Sequence, residues 1–214
     1  MAYSVAIFDI DGTLSNPGNA LTESAKYALE MMGIHETDES NLRRFVGPPL
    51  EHSFKDYYGF SDENAQEAVG YYRQKMQRDG VQLTTAYDGI KELLEALQAG
   101  GLRLAVVTSK VDYIANEALK VTNLADYFEY VAAERPGETV KKEVTLARAL
   151  KELGVVDTSS VVMIGDRRHD VEAAKALGID SIGVLWGYGD QTELSHEGAT
   201  HIVSHPNEIL KLVL

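Results

Sequence analysis

The stretch VAIFDIDGT at residues 5–13 decides the fold of this chain. Its first four residues form a continuous apolar run, which is typical of a strand buried on both faces of a parallel sheet. Asp9 and Asp11 follow the run, and Gly12 then permits a tight turn. Because ligands of open α/β sheets bind beyond the carboxyl ends of strands, the stretch predicts a strand that delivers two carboxylates to a binding crevice.

Four further apolar runs repeat this pattern, at residues 102–107, 128–132, 161–164 and 182–185. Between the runs, residues 88–98, 141–153 and 170–177 have apolar side chains at helical spacing, and each stretch is followed closely by glycine. The alternation of strands and helices predicts an α/β fold with a doubly wound parallel sheet.

A long helical segment separates the first strand from the second. Residues 21–32, 50–58 and 62–78 have helical patterns, and Gly-Pro-Pro at 47–49 punctuates them. A simple connection between a strand and a helix takes only a few residues, so a segment of this length indicates an insertion. We therefore predict a core domain of residues 1–15 and 84–214, and an inserted helical domain of residues 16–83.

The composition excludes several classes of protein. The formal net charge is −13, with 20 Lys and Arg against 33 Asp and Glu, so we expect no nucleic-acid partner. The chain has no cysteine, which leaves oxygen and imidazole as metal ligands. The apolar runs are much shorter than the ~20 residues of a membrane span, and the N-terminus lacks the pattern of a signal peptide. We expect no membrane association and a cytoplasmic location.

Polar side chains also end two later strands. Thr108 and Ser109 follow the second run, and Gly165 and Asp166 follow the fourth. These groups should converge with Asp9 in one crevice. Together, the carboxylates at positions 9, 11, 166 and 170 make an all-oxygen set that suits Mg²⁺.

Two clusters offer groups for an anion. Thr108 and Ser109 supply hydroxyls and amides near a predicted helix start, which fits either a phosphate cradle or a plain N-cap. Lys141 and Lys142 open a helix, where a cation opposes the helix dipole. A bound phosphate would explain a lysine there, and a solvated surface lysine is the alternative.

These residues together resemble a known superfamily. The chain resembles the haloacid dehalogenase-like superfamily at its four motifs, in the same order. The matching residues are DIDGTL at residues 9–14, Thr108 at a strand end, Lys141 before a helix and GDRRHD at residues 165–170. The resemblance extends over the whole chain. The helical insertion after the first motif resembles the cap domain of the phosphoglycolate phosphatase-like branch.

The resemblance implies specific roles. Asp9 would be the nucleophile and Asp11 the general acid and base, while Thr108 and Lys141 would hold the transferring phosphoryl group. Mg²⁺ would be bound by Asp9, Asp11 and Asp166, with Asp170 assisting, and Asp11 would contribute its backbone carbonyl. The predicted substrate-binding residues are Gly12, Thr13, Ser109, Arg43 and Gly47.

The lysine assignment departs from the family pattern. Lys141 is followed by Lys142 and Glu143 rather than by the proline common in relatives, so Lys142 is the alternative. We predict Lys141, because its distance to Leu150 and Gly154 fits the relatives better.

We therefore predict a Mg²⁺-dependent phosphatase that acts on a small phosphorylated metabolite, either phosphoglycolate-like or a nucleoside 5′-monophosphate, through a phosphoaspartate. The second aspartate disfavours cleavage of a carbon–halogen bond, because dehalogenases of this superfamily lack it. The alternatives are a phosphomutase of the beta-phosphoglucomutase kind and a catalytically silent binding or regulatory protein. We expect a monomer or a weak homodimer.

Overall fold

The computed structural model describes residues 3–214 and divides the chain into two compact units. Unit 1 contains the chain up to Asn16 together with Ala86–Leu214, and unit 2 is Pro17–Thr85. The predicted insertion, residues 16–83, is offset from unit 2 by one residue at its start and two at its end.

Unit 1 is built on a six-stranded sheet in which every pair of neighbours is parallel. The strands of the chain are β1 (Val5–Phe8), β2 (Ser15–Asn16), β3 (Thr85–Ala86), β4 (Arg103–Val111), β5 (Tyr130–Glu134), β6 (Val161–Gly165), β7 (Asp180–Val184) and β8 (His201–Val203). The sheet order is β5-β4-β1-β6-β7-β8, and β2 pairs with β3 separately. The α/β fold with a parallel sheet is thereby confirmed.

The strand order reverses next to β1. The chain proceeds from β1 to β4 and β5 on one side, and then returns to β6, β7 and β8 on the other. Such a reversal leaves a crevice at the carboxyl ends of the adjacent strands. β1 ends at this point, so Asp9, the residue after β1, lies at the crevice.

All five apolar runs of the sequence contribute strands of the sheet. The sequence did not indicate β8, because its three residues are too few for a pattern and its first residue, His201, is exposed.

Helices cover both faces of the sheet in unit 1. They are α5 (Ile90–Ala99), α6 (Asp112–Val121), α7 (Lys142–Glu152), α8 (Arg168–Ala176), α9 (Gln191–Glu197) and α10 (Pro206–Val213). Alternate residues of a strand point to opposite faces. Val5, Ile7 and Met163 pack beneath Leu146 of α7 and Ala173 of α8, whereas α5 and α10 pack together outside that cluster.

Unit 2 is helical. It contains α1 (Ala20–Met31), α2 (Glu39–Arg43), α3 (Leu50–Tyr58) and α4 (Asp62–Lys75), with α1 and α3 packed on α4. We predicted one helix over residues 62–78, but the last turn is a π-helical segment, Met76–Gly80. Gly80 allows this turn to pack closely, because a Cβ there would lie 2.5 Å from Sδ of Met76. Among residues 3–214, the helices are too short or too polar to cross a bilayer.

Candidate active site

Three strand ends meet at the crevice beside β1. Phe8 is in register with Val106 of β4 on one side and with Ile164 of β6 on the other. The backbone N–H of Asp9 donates to the carbonyl of Ile164 at 2.9 Å. As a result, Asp9, Thr108 and Asp166 lie at the same edge of the sheet, as the sequence predicted, and all three are buried.

A tight turn follows Asp9. The amides of Thr13, Leu14 and Ser15 all donate to the carbonyl of Ile10, at 3.3, 3.0 and 2.9 Å. We call residues 10–15, which follow the predicted nucleophile Asp9, the nucleophile turn. Gly12 has a φ of +84°, and a Cβ at this position would lie 2.1 Å from Oδ2 of Asp166. Glycine is therefore required here both by the backbone conformation and by the space that Asp166 occupies.

Three buried carboxylates form a cluster in the crevice. Asp9, Asp166 and Asp170 each offer one oxygen, and these oxygens lie within 4.8 Å of one another. Burial raises the pKa of Asp166 well above its usual range, and the charges of Asp170 and Asp9 raise it further. Burial likewise raises the pKa of Asp9, although the charge of Lys142 opposes the shift. Without a cation, this cluster is electrostatically costly.

Backbone amides orient two of these carboxylates. The N–H of Tyr188 donates to Oδ2 of Asp166 at 2.8 Å, and the hydroxyl of Thr13 donates to Oδ1 at 3.4 Å. The N–H of Arg167 donates to Oδ2 of Asp170 at 3.0 Å, at the start of α8. Oxygen atoms on all three aspartates remain directed toward one another, which is the donor set that Mg²⁺ prefers.

Lys142 is the lysine of this cluster. Its Nζ atom lies 2.9 Å from Oδ1 of Asp9 and 2.5 Å from Oδ1 of Asp170. Burial alone would lower the pKa of Lys142, but the charges of Asp170 and Asp9, and hydrogen bonds to both, raise it overall. The ammonium group is therefore charged in the structure and neutralises part of the acidic cluster.

The structure does not bring Lys141, the lysine that we predicted, into the cluster. Lys141 occupies the N-cap position of α7 without a side-chain capping hydrogen bond and is exposed, whereas Lys142, the first residue of that helix, is buried. Successive helical side chains point about 100° apart, so only one of two adjacent lysines can face the crevice. Lys142, the alternative that the sequence left open, occupies this place.

Lys110 is a residue that the sequence analysis missed. Its side chain is mostly buried, and its Nζ atom pairs with Oδ2 of Asp11. Lys110 follows Thr108 by two residues in β4, in the part of the strand where the pairing with β5 shifts register. The sequence pattern placed the end of the strand before Thr108, so it gave no signal for Lys110.

Asp11 lies beside the cluster rather than within it. Burial raises the pKa of its carboxyl, although Lys110 opposes the shift. Among the described residues, Oδ1 of Asp11 is buried without a hydrogen-bond partner. Our prediction listed Asp11 with the metal ligands, but its carboxylate is not among the three that approach one another. The contribution of its backbone carbonyl stays a prediction.

The remaining predicted residues divide between the two units. Thr108 is buried, and its hydroxyl accepts from the amide of Lys110 at 3.2 Å. Neither it nor the half-buried Ser109 caps a helix, because Val111 is the N-cap of α6. In unit 2, Arg43 is exposed at the end of α2, and Gly47 has a φ of +105°. Contact of Arg43 and Gly47 with substrate stays a prediction.

Comparison with known proteins gives a consistent result. A family model described as haloacid dehalogenase-like hydrolase matches residues 6–184. A 5′-nucleotidase of Pseudomonas aeruginosa is 37% identical and aligns over 94% of this chain and 91% of its own length. The tyrosine-protein kinase PtkA of Mycobacterium tuberculosis is 35% identical over 97% of this chain and 70% of its own.

Two more similarities complete the comparison. A phosphoglycolate phosphatase of Neisseria meningitidis is 34% identical and aligns over 90% of this chain and 85% of its own length. Among solved structures, a predicted phosphatase from Clostridium acetobutylicum has a TM-score of 0.95 and 37% identity, and the alignment covers 100% of this chain and 99% of that one.

Proposed function

Because the chain belongs to the haloacid dehalogenase-like hydrolases and is a phosphatase of that family, we propose that it hydrolyses a small phosphomonoester through a phosphoaspartate on Asp9, with Mg²⁺ as cofactor. The observation that carries this proposal is the pairing of Lys142 with Asp9 beside two further buried carboxylates. A carboxylate held next to a fixed cation is oriented for attack, and the same cation neutralises a phosphoryl oxygen.

The residues present fit a divalent cation. The donors are all oxygens, and burial raises the pKa values of both Asp9 and Asp166 in the absence of a metal charge. Asp9, Asp166 and Asp170 would hold Mg²⁺, with the backbone carbonyl of Asp11 as a further ligand by family resemblance. Mg²⁺ bound there would neutralise charge on the transferring phosphoryl group.

In the first half-reaction, a carboxylate oxygen of Asp9 attacks phosphorus. A bond forms between this oxygen and phosphorus, while the bond from phosphorus to the substrate's ester oxygen breaks. Asp11 donates its proton to the departing alkoxide. Burial raises the pKa of Asp11 against the opposing charge of Lys110, and its Oδ1 is buried without a hydrogen-bond partner among the described residues. Both features support a role for this carboxyl in proton transfer.

In the second half-reaction, Asp11 accepts a proton from water. The water oxygen forms a bond to phosphorus, the bond to Asp9 breaks, and inorganic phosphate leaves. Lys142 remains charged throughout, because the adjacent carboxylates raise its pKa. Thr108 lies buried in the neighbouring strand β4, and its hydroxyl would donate a hydrogen bond to a phosphoryl oxygen.

The names of two relatives indicate a class of substrate for this chain. These relatives are a 5′-nucleotidase and a phosphoglycolate phosphatase. We propose that the substrate is a nucleoside 5′-monophosphate or a small phosphorylated carboxylic acid. Unit 2 would act as the cap that selects the leaving group, with Arg43 and Gly47 as candidate contacts.

The test is a hydrolysis screen over nucleoside 5′-monophosphates, phosphoglycolate and sugar phosphates with Mg²⁺. Phosphate release in oxygen-18 water should place the label in inorganic phosphate, because the attacking oxygen comes from water. Transfer of the phosphoryl group to a sugar hydroxyl, without labelled phosphate, would indicate a mutase instead. The absence of release from every substrate would contradict the proposal.

A further inference from the structure

The loop after β7 lies against the nucleophile turn. We call Leu185–Asp190 the tryptophan loop. The indole Nε1 of Trp186 donates to the backbone carbonyl of Thr13 at 3.0 Å. The base of the loop is tied to the sheet, since the N–H of Leu185 donates to the carbonyl of Val203 at 3.0 Å. Trp186 therefore joins a firmly held loop to the turn that carries Asp11.

Two glycines of this loop permit an approach that no other residue allows. A Cβ at Gly187 would lie 2.3 Å from the carbonyl oxygen of Gly12 and 2.4 Å from Oδ2 of Asp166. A Cβ at Gly189 would lie 1.9 Å from the carbonyl oxygen of Asp166. The backbone of the loop is thus in direct contact with both the nucleophile turn and a carboxylate of the acidic cluster.

The far end of the tryptophan loop is fixed as well. Asp190 caps α9 by accepting from the amide of Glu193 at 2.8 Å. Oε1 of Glu193 in turn accepts from the amide of Arg168 at 2.7 Å and from Nε of Arg167 at 2.9 Å. Both ends of the tryptophan loop are held, so the hydrogen bond from Trp186 fixes the nucleophile turn relative to the sheet.

We propose that Trp186 is a positioning residue, whose indole N–H holds the nucleophile turn in register with Asp166 and so places Asp11 for proton transfer. The effect on proton transfer rests on the proposed function, whereas the effect on the position of the nucleophile turn does not. Thr13 is held from two directions: its carbonyl by Trp186, and its hydroxyl by its bond to Asp166. Loss of the indole bond leaves the second contact, which allows the turn to shift without unfolding the chain.

The chain offers a clean experiment, because Trp186 is its only tryptophan. Expression in a tryptophan auxotroph can replace it with benzothienylalanine, which keeps the shape of the bicycle and replaces the N–H with sulfur. 5-Fluorotryptophan, which keeps the N–H, is the matched control. The full-length proteins are compared by kcat and KM, and by hydrogen exchange in peptides that cover residues 9–15.

We expect benzothienylalanine to lower kcat by about 3- to 10-fold, the effect of one hydrogen bond, while KM is unchanged. Amide exchange at Thr13, Leu14 and Ser15 should be faster, because these amides hold the turn closed. The fluorotryptophan enzyme should match the natural one in both measurements. The variant Trp186→Phe, made by mutagenesis, should behave like the benzothienylalanine protein.

Unchanged kcat and unchanged exchange in the benzothienylalanine protein would overturn the inference. A lower melting temperature with natural kcat and exchange would also overturn it, because the indole would then serve stability alone. If the natural enzyme hydrolyses no phosphomonoester, the proposed function fails. The exchange rates of residues 9–15 then decide the role of Trp186 on their own.

Discussion

The Nζ atom of Lys142 lies 2.9 Å from Oδ1 of Asp9, while the side chain of the adjacent Lys141 is exposed. Two neighbouring lysines thus make a matched pair of variants. We expect Lys142→Met to lower kcat by about 10²- to 10³-fold, because a charge that stabilises the transition state is lost. Lys141→Met should retain the natural kcat. Steady-state kinetics on the best substrate of the screen measures both.

The same pair should differ in stability. Lys142→Met leaves the buried Asp9 and Asp170 without their shared cation, which we expect to cost about 3 kcal/mol of unfolding free energy in metal-free buffer. Urea unfolding gives the value. A large loss of activity in Lys141→Met with none in Lys142→Met would reverse the assignment.

Replacement of Asp9, the proposed nucleophile, should lower activity without lowering stability. We expect Asp9→Asn to lose more than about 10³-fold in kcat, because the amide cannot form the acyl phosphate. The metal-free variant should be no less stable than the natural protein, since one of three crowded charges is removed. Mass spectrometry after rapid acid quench should detect a phosphorylated peptide containing residue 9 in the natural enzyme alone. Near-natural turnover by Asp9→Asn would exclude a phosphoaspartate on this residue.

Mg²⁺ should stabilise the fold as well as support activity. A ligand that binds only the folded state at about 100 times its Kd adds about 2.7 kcal/mol. We therefore expect the melting temperature of the natural protein to rise with Mg²⁺, and EDTA to reverse both the rise and the activity. Asp166→Asn should lose the Mg²⁺-dependent rise, because it removes one negative charge of the cluster. The same rise in that variant would place the metal elsewhere.

Gly12 can be compared with a glycine of similar backbone conformation elsewhere in unit 1. Gly12 has a φ of +84°, and Gly178, at the end of α8, has a φ of +66°. Alanine at either position costs roughly 1–2 kcal/mol through its backbone alone. Only at Gly12 would the new Cβ also meet Asp166, at 2.1 Å, whereas nothing lies within 4 Å at Gly178. We expect Gly12→Ala to abolish activity and Mg²⁺ binding, and Gly178→Ala to keep both in its folded fraction.

Much of unit 1 was readable from the sequence, because strands that are buried on both faces appear as continuous apolar runs. The segments that escaped prediction, β8, α9 and α10, are short, with three, seven and eight residues. Within the candidate site, the sequence predicted the residues that follow strand ends. Asp9 was found because it directly follows an apolar run, and Asp166 because only Gly165 separates it from another.

The two lysines show where sequence reasoning stops. Choosing between Lys141 and Lys142 requires the rotational phase of α7, which changes by about 100° per residue, and the sequence locates a helix start only to within a residue or two. Lys110 depends on how far β4 continues past its apolar run, and no side-chain pattern marks that end. Trp186 acts across 173 positions of sequence, a contact that no local pattern can indicate.

The hydrogen bonds of Glu36 in unit 2 predict that the stability of the fold depends on pH. Glu36 accepts hydrogen bonds from the amides of Asp38 and Thr37, from Nδ2 of Asn41 and from the hydroxyl of Tyr58, at 2.7–3.0 Å. The bond from the Asp38 amide, followed by that from Tyr58, lowers the pKa of Glu36 below its ordinary value of 4.5. A carboxyl with a lowered pKa stabilises the fold above its ordinary pKa, and this contribution is lost as the pH falls through its folded-state value.

We therefore expect Glu36→Gln to melt below the natural protein at about pH 7, and the difference to shrink as the pH falls through the folded-state pKa of Glu36, where its carboxyl becomes protonated. Tyr58→Phe, which keeps the ring stacked on Phe45 and removes only the hydroxyl, should give a smaller loss with the same pH trend. Calorimetry across this range measures the melting temperatures. Because the two variants share the hydrogen bond from Tyr58 to Glu36, their effects should add only in part in the double variant. A difference that is constant with pH would mean that shape, rather than the charge of Glu36, supports the loop before α2.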